Sequence, residues 1–143
     1  MTTPMWVLLA FAGWTLATLF VGVGVYRWGL ILTGRASIGE WRANVPQGSD
    51  FYQRAMRAHM NCVENLPVYA AMALAGMAVG VAGPLLDGLA LVFLGARVCQ
   101  TLAHVALRQT EAVAAIRFAF FFVQFACLVT MGAVIATRAW AGA

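Results

Sequence analysis

Long apolar runs separated by short polar breaks set the pattern of this chain. Met5 to Tyr26 carries no charged residue, and at 1.5 Å rise per residue a helix of that length crosses a hydrocarbon core of about 30 Å. A polar loop follows from Thr33 to Ser49, holding Gly34, Gly39, Pro46 and Gly48. Its end, Pro46-Gln47-Gly48-Ser49-Asp50, reads as a turn closing on a helix cap. Gly83-Pro84 and Arg108-Gln109-Thr110-Glu111 are the two later breaks. The pattern predicts helices over residues 4–33, 50–80, 85–108 and 112–140, in a single domain covering 1–143. The expected architecture is an all-α integral membrane protein, an up-down bundle of four transmembrane helices.

Two of these helices are not uniformly apolar. Arg54, Arg57, Asn61 and Glu64 step by three, four and three residues, which at ~100° per residue confines them to roughly an 80° sector of the second helix. Pro67 follows them and frees the carbonyl of Val63 from an intrahelical bond. Arg97, Thr101, His104 and Arg108 form a second stripe on the third helix, flanked by Gln100. Counted from Gly83-Pro84, Arg97 falls near mid-bilayer, where an Arg costs about 2.5–3.5 kcal/mol on insertion scales. His104 comes out level with Glu64, and Arg117 stands at the same edge, just before the fourth apolar run. A membrane helix tolerates such faces only against protein, water or a ligand.

Composition supports the membrane class. Hydrophobic residues make up 63%, mean hydropathy is +0.84 and only 10% of residues are charged, against about a quarter in a soluble domain. All nine positive charges are Arg, and the pI is near 9.5. No basic, aromatic-studded face accompanies them, so a nucleic-acid partner is not expected. Seven arginines (Arg27, Arg35, Arg42, Arg54, Arg57, Arg108, Arg117) lie at the end shared by the first and third connections. The positive-inside rule then places that end in the cytoplasm and both termini opposite. The N-terminus lacks a basic leader region, and the first apolar run is read as a retained transmembrane helix. Cys62, Cys99 and Cys127 sit in apolar runs without CxxC or Cys/His spacing, so small buried hydrophobes are expected rather than a metal site. The Phe118–Phe125 cluster reads as lipid-facing or helix-packing bulk.

Two readings of the polar constellation stand side by side. In one, the charged residues are interface anchors with internal ion pairs such as Glu64–Arg97, and Arg27 and Arg35 snorkel. In the other, they form a pocket for an anionic ligand bearing an amine. Arginines would hold its carboxylates, Glu64 its ammonium, and Asn61 would supply donor and acceptor. Serine-hydrolase, phosphate-loop and zinc-hydrolase motifs are absent from the sequence.

Arg57-Ala58-His59-Met60-Asn61-Cys62-Val63-Glu64-Asn65-Leu66-Pro67 resembles the second-helix signature of the MAPEG family, the membrane-associated proteins in eicosanoid and glutathione metabolism. The similarity extends to helix number, length, the polar first loop and Arg97. It implies a bacterial-type member, in the inner membrane, built as a homotrimer that holds glutathione between subunits on the cytoplasmic side. By the same resemblance Arg57, Asn61 and Glu64 bind glutathione, with Arg54 a weaker candidate. Arg97 corresponds to the third-helix Arg, Arg35 (or Arg27) to the first-helix Arg, and Arg117 to the fourth-helix Arg that stabilises the thiolate. The chain also departs from the best-known members. Gln100 and His104 replace aromatic or His groups on the third helix, and Phe118 follows Arg117 where the prostaglandin-synthase branch has Ser. A longer loop before Arg117 leaves Arg108 as a competitor for its role. These departures argue against either specialised eicosanoid activity.

The resemblance implies a membrane-bound glutathione-dependent transferase or peroxidase acting on a lipophilic electrophile or a lipid hydroperoxide from the bilayer. Arg117, with Arg108 as the alternative, would activate the thiol. His104 would orient the sulfur or relay a proton, unless it is a hydrogen-bonded structural residue. The alternative is a non-catalytic protein of the same fold that binds a lipid or a partner. A channel or transporter subunit is disfavoured because no helix is broken as such sites require.

Overall fold

The computed structural model describes residues 1–42 and 45–142. Ala43 and Asn44, inside the expected polar loop, and Ala143 lie outside the described residues. Among the described residues there are four long helices and no strand: α1 (Thr3–Leu32), α2 (Asp50–Ala78), α3 (Pro84–Ala106) and α4 (Glu111–Ala141). The chain is thus all-helical. Three helices, α1, α3 and α4, are long and apolar enough to cross a membrane. The sequence pattern leads one to expect four; α2 falls short because its first half carries the polar face.

Local chemistry fixes the ends. Ser49 Oγ accepts from Tyr52 N at 3.2 Å and caps α2, and Thr110 Oγ1 accepts from Val113 N at 3.2 Å and caps α4. Pro84 occupies the first turn of α3, where its missing N–H costs nothing. Leu107 leaves α3 with extended backbone, so Arg108 belongs to the connection and not to the helical stripe expected from spacing. Within α1, Thr18–Gly24 is wound as π-helix, with Val25 N bonding to Phe20 O. Val21-Gly22-Val23-Gly24-Val25 is a run of weak α-formers, which lowers the cost of the wider winding. Gly22 lies in this segment. A Cβ there would stand 3.0 Å from the Cβ of Ala55, so α1 and α2 approach closely because residue 22 has no side chain.

Helix α3 touches all three other helices and packs most extensively on α4. The core at one end of the bundle is aromatic. Phe11, Tyr69 and Phe93, from α1, α2 and α3, are fully buried. Tyr69 stacks on Phe93 at 4.6 Å, and Phe11 meets Phe93 edge-on at 5.4 Å. The Tyr69 hydroxyl donates to Pro4 O at 3.0 Å, which satisfies a buried polar group and ties α2 to the start of α1. Cys62 and Cys127 are buried; Cys99 is exposed on the outer face of α3. Phe118, Phe121, Phe122 and Phe125 are exposed along α4, as a lipid-facing cluster would be. The aromatic packing leaves the opposite end of the bundle to the polar residues.

Candidate functional site

The polar end is roofed by the segment between α1 and α2. Ser37 and Glu40 close a capping box around the short 3₁₀ turn Ile38–Glu40. Gln47 then draws the segment together, accepting from Arg42 N at 2.7 Å and donating to Glu40 O at 3.0 Å. Tyr26, Trp41 and Tyr52 form an aromatic box, with Tyr26 stacked on Tyr52 at 4.7 Å and Trp41 tilted against Tyr52 at 5.3 Å. The Arg27 guanidinium covers Trp41 at 5.1 Å and donates through Nε to the Tyr52 hydroxyl at 2.5 Å. Gly48 makes the fit possible. Its φ is +78°, and a Cβ would lie 2.8 Å from Tyr52 Cδ1 and 3.2 Å from Tyr26 Cε1. Gly48→Ala therefore meets strain in both backbone and contact. It is expected to cost about 1–3 kcal/mol, seen as a lower unfolding midpoint in detergent and faster proteolysis within residues 38–48.

Beneath this roof is a cleft of about 530 Å³, a size that suits a small molecule. Its α2 wall presents Arg57, Asn61 and Glu64, interleaved with Met56 and Met60; Arg27 and Arg42 come from the α1 side and the roof, and His104 from α3. The 3.6-residue repeat puts Arg57, Asn61 and Glu64 on one face, and Ala55, Ala58 and Cys62 turn the other way into the bundle. Among the described residues the one ion pair is Arg54–Asp50. The charges on the cleft wall, three Arg and one Glu, are thus not cancelled by one another. Such a wall favours a ligand with more than one anionic group and one cationic group.

His104 joins the cleft to α4. Its Nε2 lies 3.2 Å from Nδ2 of the Asn61 amide, and its Nδ1 accepts from Arg117 Nη1 at 3.0 Å. Arg117 Nη2 donates to Gln109 Oε1 at 2.5 Å. Gln100 Nε2 donates to the Arg117 carbonyl at 2.9 Å, which pins the backbone of α4 to α3. Both acceptors around the Arg117 guanidinium are neutral. Its charge is oriented but not compensated.

The remaining candidates are placed elsewhere. Arg54 turns away from the cleft to Asp50 and to the carbonyl of Val105, the latter at 3.3 Å. Arg35 is exposed beyond α1, and Arg108 is exposed in the α3–α4 connection. Arg97 is 1% exposed. It donates to Gln100 Oε1 at 2.9 Å and packs its guanidinium over Phe11 at 5.9 Å. The Glu64–Arg97 ion pair raised by the sequence does not form, because Glu64 faces the cleft and Arg97 the bundle interior. Gln124 completes the interior group by donating to Gln100 Oε1 at 3.1 Å.

The family model of the MAPEG family matches residues 5–137. The chain belongs to the MAPEG family. A sequence search among curated proteins gives no match. Members of the MAPEG family generally use glutathione. In this MAPEG protein the cleft charges and the line from Asn61 through His104 to Arg117 lie at the same end of the bundle. Spacing along the sequence did not reveal the aromatic box or Gln109. Trp41 and Tyr52 have no shared periodicity, and Gln109 lies outside any helix. The signal the sequence offered was Gly48 in the turn that leads into Phe51 and Tyr52.

Proposed function

We propose that this protein is a membrane-bound glutathione-dependent transferase or peroxidase. The observation that carries the reading is the cleft lined by three Arg and a single Glu, joined through His104 to an Arg117 held by neutral acceptors. Glutathione has two carboxylates, one ammonium and a thiol. Arg57 and its neighbouring arginines bind the carboxylates, Glu64 binds the ammonium and Asn61 binds the peptide portion. Arg117 favours the ionised sulfur. Bound glutathione supplies a nucleophilic thiolate for addition to a lipophilic electrophile or for reduction of a lipid hydroperoxide. The chain's part is to hold it and to raise the ionised fraction.

The proposal includes a homotrimer and a cytoplasmic site. It also includes α2 as a fourth spanning helix. At 1.5 Å per residue its 29 residues reach about 44 Å, and its polar face is turned to protein and cleft. Lipid and lipophilic substrate approach from the apolar outer surface.

Titrating glutathione into the purified protein in detergent tests the reading. Saturable binding should be accompanied by thiolate absorbance near ~240 nm at neutral pH. Assays with chloro-dinitrobenzene and a lipid hydroperoxide then separate transferase from peroxidase. Absence of binding at millimolar glutathione sinks the proposal. Binding without thiolate and without turnover identifies a non-catalytic binding protein.

A further inference from the structure

We infer that His104 is a positioning residue, held as the neutral Nε2–H tautomer, which turns the Asn61 NH₂ group into the cleft while aiming the Arg117 guanidinium. The inference rests on the proposed glutathione site but makes a claim about the protein that holds with no ligand bound.

Arg117 Nη1 is 3.0 Å from His104 Nδ1. A guanidinium only donates, so Nδ1 must carry a lone pair. An imidazolium would set two N–H groups against each other. So would the Nδ1–H tautomer. Neutral imidazole with an unprotonated Nδ1 must carry its hydrogen on Nε2. That Nε2–H then needs an acceptor, and the Asn61 amide stands 3.2 Å away with Nδ2 drawn toward the ring, a donor facing a donor that a 180° turn of the amide relieves. The amide satisfies it only with Oδ1 toward the ring, and this places the two N–H donors of Asn61 on the side of the cleft. Arg117 cannot exchange its role, whereas an amide rotates by 180° with little change in shape. The Arg contact therefore decides the orientation of the Asn.

Gln109 supports this arrangement from the other side. It accepts from Arg117 Nη2 at 2.5 Å, so the guanidinium is held at two nitrogens by groups that leave its charge intact. Gln100 fixes the Arg117 backbone at 2.9 Å. The consequence for the ligand is specific. Asn61 offers donors, so the group it meets is an acceptor, a peptide carbonyl or a carboxylate, and not an amine. The ammonium is left to Glu64, the one acid on the cleft wall.

The chain has only two histidines, His59 and His104, which makes the test direct. Histidine-selective ¹⁵N NMR of the ligand-free protein in detergent, with His59→Gln used to assign the pair, should show His104 with an unprotonated Nδ1 and a protonated Nε2. An Nδ1–H tautomer or an imidazolium at neutral pH overturns the inference, whatever glutathione does. Two variants test the consequence. His104→Asn keeps an acceptor on the Nδ1 side, and should retain the thiolate absorbance while weakening glutathione binding about 10-fold. His104→Gln keeps reach toward Asn61, and should bind within about 2-fold of the parent while losing most of the thiolate. Equal losses in both readouts for both variants would show a merely structural His. Failure of the parent to bind glutathione, with the tautomer as stated, overturns the function and leaves the wiring intact.

Discussion

Arg117→Ala is expected to abolish the thiolate absorbance of the glutathione complex at neutral pH while leaving binding largely intact. A free thiol has a pKa near ~8.5, so about 3% is ionised at pH 7. If Arg117 lowers that value by two units, about 75% is ionised, and the shift corresponds to ~2.7 kcal/mol of differential stabilisation. A guanidinium beside the sulfur in a poorly hydrated pocket supplies energy on that scale. Among the described residues no carboxylate pairs with Arg117; its partners are His104 Nδ1 and Gln109 Oε1. The pH dependence has a definite sign. Loss of the cation raises the thiol pKa, so the rate profile of Arg117→Ala should move to higher pH by about two units, with a fall of about 25-fold in ionised thiol at pH 7. Ultraviolet difference spectra across pH 5–10 read this directly. Persistence of the thiolate in Arg117→Ala together with its loss in Arg108→Ala would transfer the role to Arg108.

Arg57→Ala is expected to weaken glutathione binding by about 10- to 100-fold, the loss of a charge-assisted contact of about 1.5–3 kcal/mol. Arg57 lines the cleft and, among the described residues, is in no ion pair, so its charge is available to a carboxylate. Arg54 is the internal comparison. It lies one turn earlier but spends its donors on Asp50 and the Val105 carbonyl. Arg54 is only 15% exposed and satisfies the Val105 carbonyl, so Arg54→Ala should lower stability by about 1–3 kcal/mol and leave affinity within about 2-fold. Isothermal titration of both variants, with thermal unfolding alongside, separates a clamp from a brace. Equal affinity losses in the two variants would count against a specific carboxylate contact at Arg57.

The helical architecture was legible because the solvent in which these helices fold leaves little choice. Apolar runs in a bilayer must satisfy their backbone internally, and Gly83-Pro84 and the caps at Ser49 and Thr110 mark where helices begin. The period of 3.6 residues was enough to gather Arg57, Asn61 and Glu64 on one face, since that depends only on neighbours along one helix. It misled at two places. Arg54 shares the sector but is captured by Asp50 one turn away. Arg108 shares the spacing but falls after the end of α3. The π-wound segment of α1 left no periodic trace, because a run of Val and Gly reads as apolar under either winding.

By itself, the sequence determined that this is a helical membrane protein of the MAPEG type, and that one face of α2 carries Arg57, Asn61 and Glu64. Those properties follow from local spacing and from transfer energies, which each segment carries alone. The tertiary structure decided which charged groups compensate one another and which do not. It sent Arg97 into the interior with Gln100 and Gln124, and it turned Glu64 outward into the cleft. It also threaded Asn61, His104 and Arg117 from three helices into one hydrogen-bonded line. Contacts of that kind depend on how α2, α3 and α4 pack, and helical periodicity carries no information about the phase of one helix relative to another.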